Sequence, residues 1–208
     1  LFGSLVMAQS LNLKKFNFKP GEEIKPSFEA GSDFASNAWI GIIPSHVKHG
    51  SESENDKHDL TYQYLKSKKK GILTYKAPIK PGMYDFRMHN TDSNGKEVAH
   101  ITFVVLDKSG AMLSIDKHVF KPGEEIKLHF VAGAGFASNA WIGIIPSHVK
   151  HGSESENDKH DLTYQYLKNK AKGTLIYKAP TKPGKYDFRM HDTDSNGKEV
   201  TFVTFKVK

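Results

Sequence analysis

Residues 34–66 read FASNAWIGIIPSHVKHGSESENDKHDLTYQYLK, and residues 136–168 read the same 33 letters again. Sliding the 208-residue chain against itself by 102 positions extends the match without a gap, pairing residues 11–106 with 113–208 at 74 identities in 96 pairs. All 22 mismatches fall outside the identical block. Selection on a shared site would leave such a block, and so would recombination between the copies. Self-similarity at this period marks a duplicated domain, since solenoid repeats are about 20 to 50 residues long. The expected organisation is one repeat over 11–106, a short linker over 107–112 and a second repeat over 113–208.

Around the block the apolar residues recur every second position, the period of a half-buried strand. Ile24, Pro26 and Phe28 alternate in IKPSF, Leu60, Tyr62 and Tyr64 in LTYQY, Tyr84, Phe86 and Met88 in YDFRM, and Ile101, Phe103 and Val105 in HITFVV. AWIGII, residues 38–43, is apolar on both faces and reads as a central strand with Trp39 in the core. KPGEE at 19–23 and APIKPG at 77–82 are turns, and the Asn-Gly of SNGK at 93–96 predicts a type I′ hairpin, which needs two residues tolerant of positive φ. No segment carries a convincing helical pattern. About seven short strands per repeat predict an all-β chain: two tandem immunoglobulin-like antiparallel β-sandwiches.

The order FKPGEEI, NAWIGIIPS, a tyrosine-bearing strand, GILTYKAP, KPGMYDFRMHNTD and EVAHITFVV resembles the SKICH-type β-sandwich and its bacterial relatives. Those share a P-G-E turn, a D-W-[IV]-G-[IV] strand and a P-G-x-Y-x-[FV]-R-[ML] strand in that order. The resemblance implies a sandwich used for binding rather than catalysis. Ala38 stands where that pattern has Asp, and the loop SHVKHGSESENDKHDL is longer and more charged than the pattern implies.

A formal charge of +7 and 25% charged residues point to a folded, basic protein that meets anionic or repeating surface polymers, glycans or proteins more readily than cationic ones. With no cysteine, disulfides, thiolate metal sites and thiol nucleophiles are excluded. Residues 1–8, LFGSLVMA, end in small residues placed as at a signal-peptidase site and are expected to be a leader remnant. The alternatives are an ordinary first strand, or an apolar strand donated to a neighbouring molecule in a fibre. The leader reading implies a secreted, periplasmic or cell-surface protein.

The loop at 45–59 holds His46, His49 and His58 with Glu52, Glu54, Asp56 and Asp59, and its twin holds His148, His151 and His160 with Glu154, Glu156, Asp158 and Asp161. Imidazole with carboxylate is a ligand set for zinc-like ions. The same residues also suit partner contact or a solvated loop. HDTDSNGKE at 191–199 places Asp192, Asp194 and Asn196 like the first half of a calcium loop, with the closing Glu replaced by Val203. The first copy offers Asp92 and Asn94. Calcium or zinc is therefore the expected cofactor class if any is used. A joint site of His89 and Asp92 with the long loop requires both to lie at one end of the sandwich.

LKSKKKG supplies Lys66, Lys68, Lys69 and Lys70, a patch for anionic groups or a soluble guard on a strand edge. It lacks the aromatic interleaving of nucleic-acid binders. Tyr62, Tyr64, Tyr75, Tyr84 and Phe86 read either as a sugar-stacking face or as core. The sequence has no G-x-S-x-G elbow, phosphate-cradling loop or H-E-x-x-H. The expected function is a non-catalytic tandem binding module, with a fibre subunit or a calcium- or zinc-binding module as alternatives.

Overall fold

In YDFRMH, residues 84–89, alternation sends Tyr84, Phe86 and Met88 to one side of a strand and Asp85, Arg87 and His89 to the other, and both sets are buried. That double burial organises each repeat. A computed structural model describes residues 9–208. The leader or donated-strand expectation for 1–8 lies outside the described residues, whereas Leu11 pairs with Phe28 inside its own repeat.

The first repeat runs β1 (Ser10–Asn12), β2 (Asn17–Phe18), β3 (Glu23–Ile24), β4 (Ser27–Glu29), β5 (Trp39–Pro44), α1 (Glu52–Asp56), β6 (Thr61–Tyr64), β7 (Lys70–Ile72), β8 (Tyr75–Lys76), β9 (Gly82–His89) and β10 (Glu97–Val105). The second runs β11 (Met112–Ile115), β12 (Val119–Phe120), β13 (Glu125–Val131), β14 (Trp141–Pro146), α2 (Glu154–Asp158), β15 (Thr163–Tyr166), β16 (Lys172–Lys178), β17 (Gly184–His191) and β18 (Glu199–Val207). The chain divides into two compact units between Val105 and Leu106.

In each unit a three-stranded sheet, β1-β4-β7 or β11-β13-β16, accompanies a five-stranded sheet, β2-β10-β9-β5-β6 or β12-β18-β17-β14-β15. The short segments β2 and β12 run parallel to the last strand, and the other pairs are antiparallel. This is an immunoglobulin-like sandwich. Its first-repeat core joins Leu11 and Phe28 of one sheet to Ile40, Ile42, Phe86, Met88 and Phe103 of the other. Tyr84 closes a tyrosine corner by donating its hydroxyl to the Lys80 carbonyl at 2.8 Å, as Tyr186 does to Lys182.

Where the second repeat has the continuous strands β13 and β16, the first has β3, β4, β7 and β8. Leu128 occupies the position of Pro26 and pairs with Leu175. Pro26 has no N–H to give the ladder, so the strand breaks there.

The structure departs from the sequence expectations at three places. Trp39 is buried, but with Ile43 and Val47 on the opposite face of the sheet, not in the inter-sheet core. Leu60, Tyr62 and Tyr64 are exposed on the edge strand side rather than half-buried. The hairpin between β9 and β10 has a seven-residue connection, 90–96, in which only Asn94 is left-handed (φ 55°), so it is not type I′. Gly95 serves another need: a Cβ there would stand 2.5 Å from the Thr91 carbonyl oxygen. The I′ geometry occurs instead at Lys66 and Ser67, φ 52° and 61°, closed by a 3.1 Å bond from Lys68 N to Leu65 O.

Candidate binding site on the outer face of the five-stranded sheet

The long loop does not protrude: it lies back over the sheet. Its one helical turn, α1, is capped by Ser51, whose Oγ accepts the Glu54 N–H. Ser51-x-x-Glu54 is the sequence signal for this start, although five residues are too few to display a helical period. The cap points Asn55 inward. Its carbonyl accepts from Arg87 Nη1 at 2.7 Å, and its amide donates to His89 Nε2 at 2.8 Å and Glu97 Oε2 at 2.9 Å.

Arg87, fully buried, is the centre of this arrangement. It donates to Asp85 Oδ2 through Nε (3.1 Å) and Nη2 (2.8 Å), and to the Val47 and Lys48 carbonyls at 2.8 and 3.3 Å. Asp85 Oδ1 accepts from Ser45 and Thr102 at 2.7 and 2.8 Å. A buried charge is tolerated only when its polar groups are met in this way. Arg189, Asp187 and Asn157 reproduce the pattern, with Arg189 Nε left without a partner. The alternation of YDFRM marks Arg87 and Asp85 as outward polar residues, and nothing in it indicates that a loop covers them.

The apolar part of this outer layer is Trp39. Its indole lies across Gly41, where a Cβ would stand 2.6 Å from Trp39 Cζ3, so only glycine admits the ring. The indole stacks on His89 (4.0 Å, 21°) and meets Tyr62 edge-on at 5.7 Å. Burial pushes His89 down to about 4, against the pull of Glu97, so the ring is neutral at pH 7. Burial pushes Glu97 up, but hydrogen bonds from His49, Asn55 and the Gly50 N–H outweigh it and hold the carboxyl below the usual range.

Asp92, in the hairpin, comes within ligand distance of Glu52 and Asp56: one oxygen from each of the three lies within 4.8 Å of the others. Asp194 meets Glu154 and Asp158 alike. Burial, then the charges of Asp92 and Asp56, raise Glu52; burial, then Asp56 and Asp92, raise Asp59. These are the residues that could hold a hard cation. The loop and the hairpin therefore do share one end of the sandwich. Of the half-calcium-loop residues, Asp192 Oδ1 accepts Lys198 N at 2.8 Å, Asn196 takes the left-handed turn position, and Asp194 accepts the Tyr166 hydroxyl at 2.5 Å. In the first copy Asn94 has the same turn role, and Tyr64 bonds Asp92 at 2.5 Å.

The loop histidines do not converge. His49 Nδ1 meets Glu97 at 2.6 Å, His58 meets Glu54 at 3.2 Å, and His46 is exposed on the turn after β5. His151 and Glu199, and His160 and Glu156, repeat these pairs, while His148 matches His46. Of the lysine patch, Lys69 is tied to the Gly31 and Ser32 carbonyls at 3.1 and 3.0 Å, and Lys66, Lys68 and Lys70 are exposed. Beside the carboxylates, β6 forms the sheet's outer edge, with Leu60 just before it and Tyr62 and Tyr64 on it.

No family model matches the chain, and no curated protein matches it. Among solved structures it is similar to α-2-macroglobulin of Escherichia coli, trypsin-activated, at 14% identity and TM-score 0.35 over 97% of this chain. Salmonella α-2-macroglobulin reacted with methylamine gives 12% and 0.39 over 99%, and the Yersinia pseudotuberculosis adhesin InvE gives 13% and 0.33 over 95%. The chain spans 15% and 17% of the two macroglobulins and 58% of the adhesin. Similarity at this level carries no functional inference. Among the described residues no helix is long and apolar enough to cross a membrane. The chain is all-β, two immunoglobulin-like sandwiches, each with a loop sealed over its five-stranded sheet by a buried arginine.

Proposed function

We propose that the chain is a secreted or cell-surface, non-catalytic binding module of SKICH-like type. Its contact surface is the tyrosine-bearing edge β6 with the adjoining carboxylates, offered once by each repeat to a repeating glycan polymer. The observation that carries this reading is a contrast among exposed apolar residues. Outside the identical block they are not reproduced between copies: Ile72 and Ile79, 66% and 75% exposed, become Thr174 and Thr181, and Phe16 becomes His118. Inside it Leu60 and Tyr62, 54% and 46% exposed, recur as Leu162 and Tyr164 with the same exposures.

Folding does not call for these side chains in water, and a free sheet edge is ordinarily guarded by charge. Flat phenol rings stack on sugar rings, and carboxylates such as Asp92 and Asp59 accept sugar hydroxyls. Two linked weak sites gain about 10² to 10⁴ in avidity on a repeating target without new contacts. The test is retention of the full chain on immobilised surface polysaccharides. Y62A or Y164A alone should forfeit the avidity gain, and the double variant should elute with the void. Retention of the double variant equal to wild type, or no retention of wild type on any polymer, overturns the reading.

A further inference from the structure

Glu97 and His100 are three residues apart, a spacing that sends side chains to opposite faces of a regular strand. A bulge in β10 changes that. Glu97 lies opposite His89, Ala99 opposite Met88 and His100 opposite Arg87, which leaves Val98 as the extra residue. Glu97 and His100 therefore emerge on the same outer face, the kind of re-aiming that bulges produce. The long loop delivers His49 to the same spot. His49 Nδ1 is 2.6 Å and His100 Nδ1 3.4 Å from the same oxygen, Glu97 Oε1. The two imidazole centroids are 4.4 Å apart.

We infer that His49, Glu97 and His100 form a binding site for a divalent transition ion of the zinc class in the first repeat, and that the second repeat lacks it. One ligand atom from each of the three lies within 4.8 Å of the others. Bonds of about 2.0 to 2.2 Å in a tetrahedron place neighbouring ligand atoms about 3.3 Å apart. The His100 to Glu97 distance already fits. The His49 to Glu97 contact opens by about 0.7 Å when the ion replaces the shared proton.

The surroundings hold these donors in place. Glu97 Oε2 is occupied by Asn55 and the Gly50 N–H at 2.9 and 3.2 Å, which leaves Oε1 for the ion. His49 Nε2 lies 3.5 Å from Asp85 Oδ2, a carboxylate placed as an outer partner to a ligating imidazole. Arg87 is also 3.3 Å from that nitrogen, but Asp85 neutralises it, so Arg87, Asp85 and Glu97 together leave one negative charge at the ion. The His49 and His100 side chains are 44% and 53% exposed, so the fourth position opens to solvent.

The duplication supplies the control. His151 and Glu199 keep their contact at 2.5 Å, but Phe202 stands where the first repeat has His100, its ring 4.4 Å from His151. The fold therefore accepts either residue at this place, and only one of them is a ligand. The experiment is calorimetric titration of zinc chloride into the chelator-stripped full chain, for wild type, H100F and F202H. Wild type should bind one equivalent more than H100F, and F202H one equivalent more than wild type. An H100F isotherm matching wild type, or an F202H isotherm with no added equivalent, overturns the site. This inference is independent of glycan binding.

Discussion

Replacing Arg87 by methionine keeps most of the side-chain volume and removes the guanidinium that joins loop to sheet. Asp85 Oδ2 then loses both Arg87 donors, leaving only His49 Nε2 at 3.5 Å, and the Asn55 and Val47 carbonyls lose theirs. Asp85 is 1% exposed, so water does not replace what is removed. Breaking a buried pair from one side costs about 3 to 5 kcal/mol, a large share of the roughly 5 to 15 kcal/mol that holds a domain folded. At about 4 to 8 °C per kcal/mol for a unit of this size, the first repeat should melt at least about 12 °C lower.

Scanning calorimetry of the full chain reads this with an internal reference. Arg189 makes the matching Nη1 and Nη2 contacts in the second repeat, so R87M should split the unfolding into a shifted transition and an unshifted one. Most of the cost is the carboxylate left behind, so R87M/D85L should recover roughly half of it. A shift of less than about 4 °C in R87M, or a double variant that loses the sum of two independent penalties, refutes the claim that this cluster seals the loop to the sheet.

Two further outcomes follow from the same fold. His89 and His191 are pushed down to about 4 by burial, so the stability they contribute is complete above the unfolded value of about 6.5 and is lost as pH falls toward 4. Linkage makes that about 3 kcal/mol per repeat. Urea unfolding at pH 7 and 4.5 should show it, and H89Q, which keeps an acceptor for the Asn55 amide, should flatten the first repeat's dependence; an unchanged slope would count against a buried neutral ring. At the β6–β7 turn, Lys66 and Ser67 hold left-handed geometry that suits Asn and Gly. K66N/S67G should raise the urea midpoint, by about 1 kcal/mol of stability, and a lower midpoint would refute the turn assignment.

The legible part of the fold rests on local rules. A period of two at Tyr84, Phe86 and Met88, turns built on Pro and Gly, and a strand apolar on both faces at 39–43 follow from backbone geometry and burial. They lead to the sandwich without reference to distant residues. The 102-residue offset likewise reveals the duplication directly. What remained hidden depends on which surfaces meet. Asp85, Arg87 and His89 occupy the polar positions of a strand that alternation alone assigns to solvent; they are buried because a loop forty residues earlier in the chain folds back on them. That same loop, through Val47, helps to bury Trp39 on the face opposite Ile40 and Ile42.

The sites divide in the same way. The residue types of the long loop and the hairpin are evident from the letters, but Asp92 meets Glu52 and Asp56 only because the two loops share one end of the sandwich. Glu97 and His100 share a face only through the one-residue bulge at Val98. Neighbours along the chain set the main strands, the Pro-Gly turns and the repetition at 102 residues, and these are what the letters reveal. Tertiary structure decided which polar groups are buried and which ligands converge, because both depend on contacts between segments that periodicity does not relate.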